Sequence, residues 1–144
     1  MELEPGPLHA SAVRMAGKGV LLVGASGSGK SSLALHLMGL GAELVSDDRV
    51  TLLADGDGPR LARPEASPAL IEARGVGLLH AACVASAPLH LVVDLGTAET
   101  ARLPPLRCAT CAGFRVPLFH NVTNSTFPVV IQQYLLHGRK DPDF

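Results

Sequence analysis

A chain of 144 residues, 47% hydrophobic and 17% charged, carries enough apolar mass for one core and excludes wholesale disorder. A formal net charge of −1, with no basic stripe and no basic amphipathic helix, argues against a nucleic-acid or membrane surface. No apolar run approaches the ~20 residues of a membrane span, and the acidic, Pro-rich start MELEPGPLHA lacks the apolar centre of a signal peptide, so a cytoplasmic protein is expected.

Residues 1–144 read as a single domain, with 1–8 and 139–144 expected to fray. SAVRM (11–15) and GVLLVG (19–24) are apolar segments joined by Ala16-Gly17-Lys18, a β-hairpin signal. KSSLALHLMGL (30–40) predicts a helix, apolar nearly all round and therefore buried, closed by Gly39 or Gly41. ELVS (43–46) predicts a strand ending in two adjacent acids, Asp47 and Asp48. VTLLA (50–54) and PRLAR (59–63) flank Asp55-Gly56-Asp57-Gly58, a second hairpin. ALIEARGVGLLH (69–80) mixes strand and loop, and LHLVVDLG (89–96) is the strongest buried-strand pattern. Residues 101–119, interrupted by proline, read as irregular. Asn124 or Ser125 caps a last helix with Pro128 in its first turn. Phe127, Val130, Ile131, Tyr134 and Leu135 give that helix one apolar face, and Gly138 stops it. The three cysteines, including the Cys108-Ala-Thr-Cys111 pair, read as ordinary reduced thiols.

GASGSGKS, Gly24 to Ser31, fits G-x-x-x-x-G-K-[ST] in full, after a predicted strand and before a predicted helix. Its glycines let successive N–H groups turn inward as an anion nest, and the helix N-terminus adds partial positive charge. Gly24, Ala25, Ser26, Gly27, Ser28, Gly29, Lys30, Ser31 and Ser32 are thus the expected lining of a nucleoside triphosphate. Lys30 reaches the β- and γ-phosphates, and the Ser31 hydroxyl takes a Mg²⁺. Two acidic strand ends compete for the role beside that metal: the Asp47-Asp48 pair, and Asp94 at the end of LHLVVD. Alternation along a strand predicts that Asp47 and Asp48 point to opposite sides, so that only one faces the phosphates.

GASGSGKSSLALHLMGLGAELVSDDRV followed by IEARGVGLL resembles the catalytic domain of bacterial HPr kinase/phosphorylase, which joins a GxSGxGKS loop, a DD strand end and an I-E-x-R-G-x-G signature. The length resembles the catalytic-domain-only form seen in proteobacteria. The resemblance implies an α/β fold, a mixed sheet carrying a P-loop as in phosphoenolpyruvate carboxykinase, with a packed C-terminal helix. It implies an ATP- and Mg²⁺-dependent serine kinase acting on the phosphocarrier HPr or its nitrogen-branch counterpart, and leaves a homo-oligomer open. By position it gives Asp47 the proton of the target serine, Glu72 a second Mg²⁺ contact, His9 a place near that aspartate, and Arg102 a place near the phosphoryl group. The chain departs from the family at Ser32, where glutamate is common. It also lacks the late Gly-Arg-Asn block tied to phosphorolysis, reading VPLFHNVTNSTF there, so phosphorylase activity is expected to be weak or absent. A small-metabolite kinase using Asp94, or a non-catalytic ATP sensor working through a partner, are the alternatives.

Overall fold

The computed structural model describes residues 1–141. In chain order the strands are β1 (Glu2–Leu3), β2 (Gly6–Leu8), β3 (Ser11–Met15) and β4 (Lys18–Val23), followed by helix α1 (Lys30–Gly39). Then come β5 (Glu43–Ser46), β6 (Val50–Asp55), β7 (Gly58–Ala62), β8 (Leu70–Ala73), β9 (Gly77–His80), β10 (Ser86–Ala98), β11 (Cys108–Cys111), β12 (Phe114–Asn121) and helix α2 (Phe127–His137). Ten strands form one mixed, curled sheet whose main path runs β1-β11-β12-β10-β4-β3-β5, with β2, β6 and β7 joined to β10. The pair β8-β9 stands apart as a hairpin.

At the centre, β10 lies parallel to both β4 and β12. Such strands are covered on both faces and so read as continuous apolar runs. Val20 and Leu22 enter a cluster with Leu33, Ala34 and Leu37 of α1 and Phe127, Ile131 and Leu135 of α2. Leu21, between them, enters a second cluster on the opposite face with Leu52, Leu61, Val92 and Val116. In β10, Leu89 joins the second cluster and Leu91 the first, because the register shifts between them. A one-residue slip of this kind moves side chains to the other face.

Several expectations meet the structure directly. Ala16 (φ 53°) and Gly17 (φ 76°) make the tight turn between β3 and β4. Gly41, at φ 105°, ends α1, its N–H donating to the Met38 carbonyl at 3.0 Å while Ala42 N–H donates to Leu37. Others are corrected. Residues 2–8 are not frayed: β1 pairs in parallel with β11, and β2 pairs with β6. The segment 101–119 is not wholly irregular, since β11 and β12 form a hairpin. Pro117 is tolerated in β12 because pairing with β10 begins only at Leu118, so no bond to β10 needs its missing N–H. Of the C-terminal segment expected to fray, Arg139 Nη2 donates to the Pro104 carbonyl at 2.6 Å, and 142–144 lie outside the described residues. No helix of the described residues is long and apolar enough to cross a membrane.

Candidate active site

The loop between β4 and α1 is the glycine-rich stretch. Gly24, Gly27 and Gly29 have φ of 148°, 85° and 102°, a region that favours glycine. At Gly24 space adds to the requirement, because a Cβ there would sit 2.5 Å from Ser28 Oγ. Lys30 opens α1 and is only 6% exposed. Its Nζ donates to the Gly24 and Ala25 carbonyls at 2.7 and 3.1 Å and forms no ion pair among the described residues. Ser28 Oγ is buried with no hydrogen-bond partner among the described residues.

Facing this loop is a small cavity of about 260 Å³ lined by Ser26, Gly27, Gly29, Lys30, Ser31, Ser32, Asp48, Glu72 and Arg74. Asp47 is not itself among the lining residues but is bonded to two that are, Ser31 and Glu72. Its Oδ1 accepts from Ser31 Oγ at 2.8 Å and from Ser11 Oγ at 2.7 Å, and its Oδ2 from Glu72 N–H at 3.2 Å. One carboxylate thus ties β3, the start of α1, the end of β5 and β8 together.

Strand alternation does not set the side of Asp48, which lines the cavity while Asp47 does not. The strand ends at Ser46, and Asp48 turns into the left-handed region at φ 68°, where its N–H donates to Ser11 Oγ at 3.2 Å. Aspartate is among the few non-glycine residues that tolerate this conformation. The turn swings the Asp48 side chain, 75% exposed, into the same cavity. There it meets His9, whose Nδ1 lies 3.2 Å from Asp48 Oδ1 and whose Nε2 lies 3.3 Å from Ser26 Oγ. His9 therefore stands beside the second acid of the pair and bridges it to the glycine-rich loop.

Glu72 and Arg74 both line the cavity but form no ion pair with each other, and Arg74 has no hydrogen-bond partner among the described residues. Asp94 is drawn elsewhere. Its register partner is Val23, just before the loop, yet its two oxygens accept from Gly96 N–H and Thr97 Oγ1, each at 2.9 Å. Arg102 is also parted from this group. It lines a separate cavity of about 680 Å³ with Glu99, Arg107 and the first turns of α2. Arg107 clamps Glu99 through two bonds of 3.0 Å and so closes the segment 100–106 that carries Arg102. No group of three or more His, Cys, Asp or Glu able to hold a metal unaided occurs among the described residues. Cys108 is exposed and Cys111 buried, and both are free thiols.

A family model described as the HPr serine kinase C-terminal domain matches residues 4–101. The chain belongs to that family. Within the HPr serine kinase family, it is similar to the HPr kinase/phosphorylase of Lactobacillus acidophilus, 40% identical over 78 residues that make up 50% of this chain and 23% of that protein. It is 44% identical over 73 residues to that of Streptococcus thermophilus, covering 50% of this chain and 24% of that protein. The chain thus spans about a quarter of the length of these curated relatives. A solved structure of the Hpr(Ser) kinase/phosphatase from Coxiella burnetii shares the fold, with a TM-score of 0.76 at 24% identity over 90% of this chain and 93% of that one.

Reading the sequence did not single out Ser11. The signal was a hydroxyl opening an otherwise apolar strand, SAVRM, and the structure buries it fully beneath the two aspartates.

Proposed function

We propose that this protein is an ATP-dependent serine kinase acting on an HPr-like phosphocarrier, with the glycine-rich loop as its P-loop on a sheet of the phosphoenolpyruvate carboxykinase type. The observation that carries the reading is the 2.8 Å bond from Ser31 Oγ to Asp47, which sets a carboxylate beside the hydroxyl that such loops turn toward metal and phosphate. The loop itself fits a polyphosphate. Among the described residues, a buried ammonium held only by carbonyls and a buried hydroxyl without a partner are both groups that an anion would satisfy.

Magnesium, when bound, neutralises charge on the phosphates, and it is held by one or two carboxylates together with phosphate oxygens and water. Ser31 and Glu72 would hold it here, and the described residues contain no all-protein metal cage. Lys30 binds the β- and γ-phosphates, and Arg74, rather than Arg102, is the arginine lining the cavity. Asp47 accepts the proton of the attacking serine hydroxyl, oriented by Ser11 and the Glu72 N–H. Phosphorolysis is weak, because the family's late block reads VPLFHNVTNSTF here and keeps Pro117 but no Gly-Arg-Asn.

A second assignment of the proton carrier has its own support: Asp48 is exposed in the cavity and stands 3.2 Å from His9. Labelled ATP, Mg²⁺ and purified HPr, incubated with wild type and with Lys30→Ala, Asp47→Asn and Asp48→Asn, test both. Label on an HPr serine that disappears in Lys30→Ala and Asp47→Asn but survives in Asp48→Asn supports the first assignment. The reverse pattern for the two aspartates moves the proton to Asp48 and His9, and no label on HPr with wild type sinks the kinase reading.

A further inference from the structure

We infer that the uncharged cleft behind the glycine-rich loop, between α1 and the loop 121–125, holds the nucleoside of the triphosphate. The inference rests on the P-loop reading above and extends it to the part of the ligand that no sequence motif addresses.

The direction of the ligand follows from Ser31. Its hydroxyl faces Asp47, so the metal and γ-phosphate end lies toward Asp47, Glu72 and Arg74. The nucleoside must leave on the other side. There Gly29 and Ser32 line both the phosphate cavity and a neighbouring cleft of about 280 Å³. Ser32 and His36 are one helical turn apart on α1 and form one wall. Leu95, Val122, Phe127 and Pro128 supply apolar surface opposite. The parallel pairing of β10 with β12 brings this wall here, since it delivers Asn121 and the residues after it to the end of the sheet where β4 gives way to the loop.

The chemistry of the cleft suits a base and sugar rather than a further anion. Among the described residues that line it none is Asp, Glu, Lys or Arg, whereas the phosphate cavity beside it holds Lys30, Asp48, Glu72 and Arg74. Asn121 lines the cleft, and its side-chain amide has no hydrogen-bond partner among the described residues. An amide offers one acceptor and two donors, the set that pairs with the edge of a purine. Asn124, by contrast, is occupied: its Oδ1 accepts from Thr126 N–H and Thr126 Oγ1, each at 3.0 Å, and fixes the entry to α2. Base recognition is therefore assigned to Asn121, with apolar contact from Leu95 and Val122.

Calorimetric titration of the full chain with MgATP and, separately, with magnesium tripolyphosphate tests this. Wild type should bind ATP more tightly than tripolyphosphate. Asn121→Ala and Val122→Arg should each weaken ATP by about tenfold while leaving tripolyphosphate within about twofold. If both variants bind ATP as wild type does, or if ATP and tripolyphosphate weaken in step, the cleft does not hold the nucleoside, although the phosphate reading stands. Wild type that binds neither ligand overturns the phosphate reading and this inference with it.

Discussion

Ser11 shows how much one side chain carries at this site. Fully buried on β3, it donates to Asp47 and accepts the N–H of Asp48. Ser11→Ala removes a donor from one carboxylate and leaves the other aspartate's N–H without its acceptor. A buried polar group left unpaired costs about 1–3 kcal/mol. Urea denaturation should show a loss of that size, and the phosphoryl-transfer assay should show a lower turnover with little change in KM for ATP. Unchanged stability would mean that water replaces the hydroxyl without cost. Glu99 makes a different kind of statement. Its side chain is 9% exposed, and bonds from Arg107 chiefly, with help from the N–H groups of Ala101 and Thr100 and against the cost of burial, lower its pKa to about 2. His120 Nδ1 lies 3.9 Å away on the same carboxylate. Between the ordinary value of 4.5 and about 2, the unfolded chain binds a proton at Glu99 that the folded chain does not. The contribution of Glu99 is therefore complete above that window and is lost as pH falls through it. Thermal midpoints recorded across the window should fall less steeply for Glu99→Gln than for wild type.

Two hairpins with the same turn chemistry show what was legible at the level of elements and what was hidden. Ala16-Gly17 and Ala112-Gly113 both place two consecutive residues at positive φ, the geometry of a tight two-residue hairpin turn. The first was legible because runs of apolar residues flank it. The second was masked by Pro117 and by CATC, which drew attention as a cysteine pair rather than as a short strand. The glycine-rich loop was legible because it needs local order alone: strand, glycines, lysine, helix. The side on which Asp48 falls was not, because it depends on one left-handed residue after the strand has ended. Nor was the displacement of Arg102, which follows from the tertiary clamp of Arg107 on Glu99. The second helix was read nearly in register. Its first helical residue is Phe127 and its N-cap is Thr126, not Asn124 or Ser125; Asn124 instead anchors the turn before it, its Oδ1 accepting from Thr126 N–H. Of its expected apolar face, Phe127, Ile131 and Leu135 are buried, but Val130 is 48% exposed, as is Val129 off that face at 52%. Ile131→Ala should cost about 2–5 kcal/mol and Val129→Ala less than about 0.5 kcal/mol in urea denaturation. Equal effects would show that α2 is not docked as described.

On the scale of the whole molecule, the candidate site sits where the two apolar clusters meet. Leu21 and Leu22 are adjacent in β4, one in each cluster, immediately upstream of the glycine-rich loop. The glycine-rich loop thus follows a strand buried on both faces, and loosening either face should loosen the site. This predicts one cooperative unit, and the chain carries a probe for each side. Tyr134, the only tyrosine in a chain without tryptophan, packs against the first cluster, with its ring centroid 4.8 Å from that of Phe119. Cys111 lies in the second cluster, and burial pushes its thiol up to about 11, which keeps it unreactive while the fold is closed. Tyrosine fluorescence and Cys111 alkylation, mapped by peptide mass, should report the same urea midpoint. Leu22→Ala and Leu21→Ala, each opening a cavity on a different face, should shift both midpoints together and by similar amounts, about 2–5 kcal/mol in stability. If Leu21→Ala moved the Cys111 curve and left the tyrosine curve in place, the two faces would unfold independently, and the loop would be anchored by the first alone.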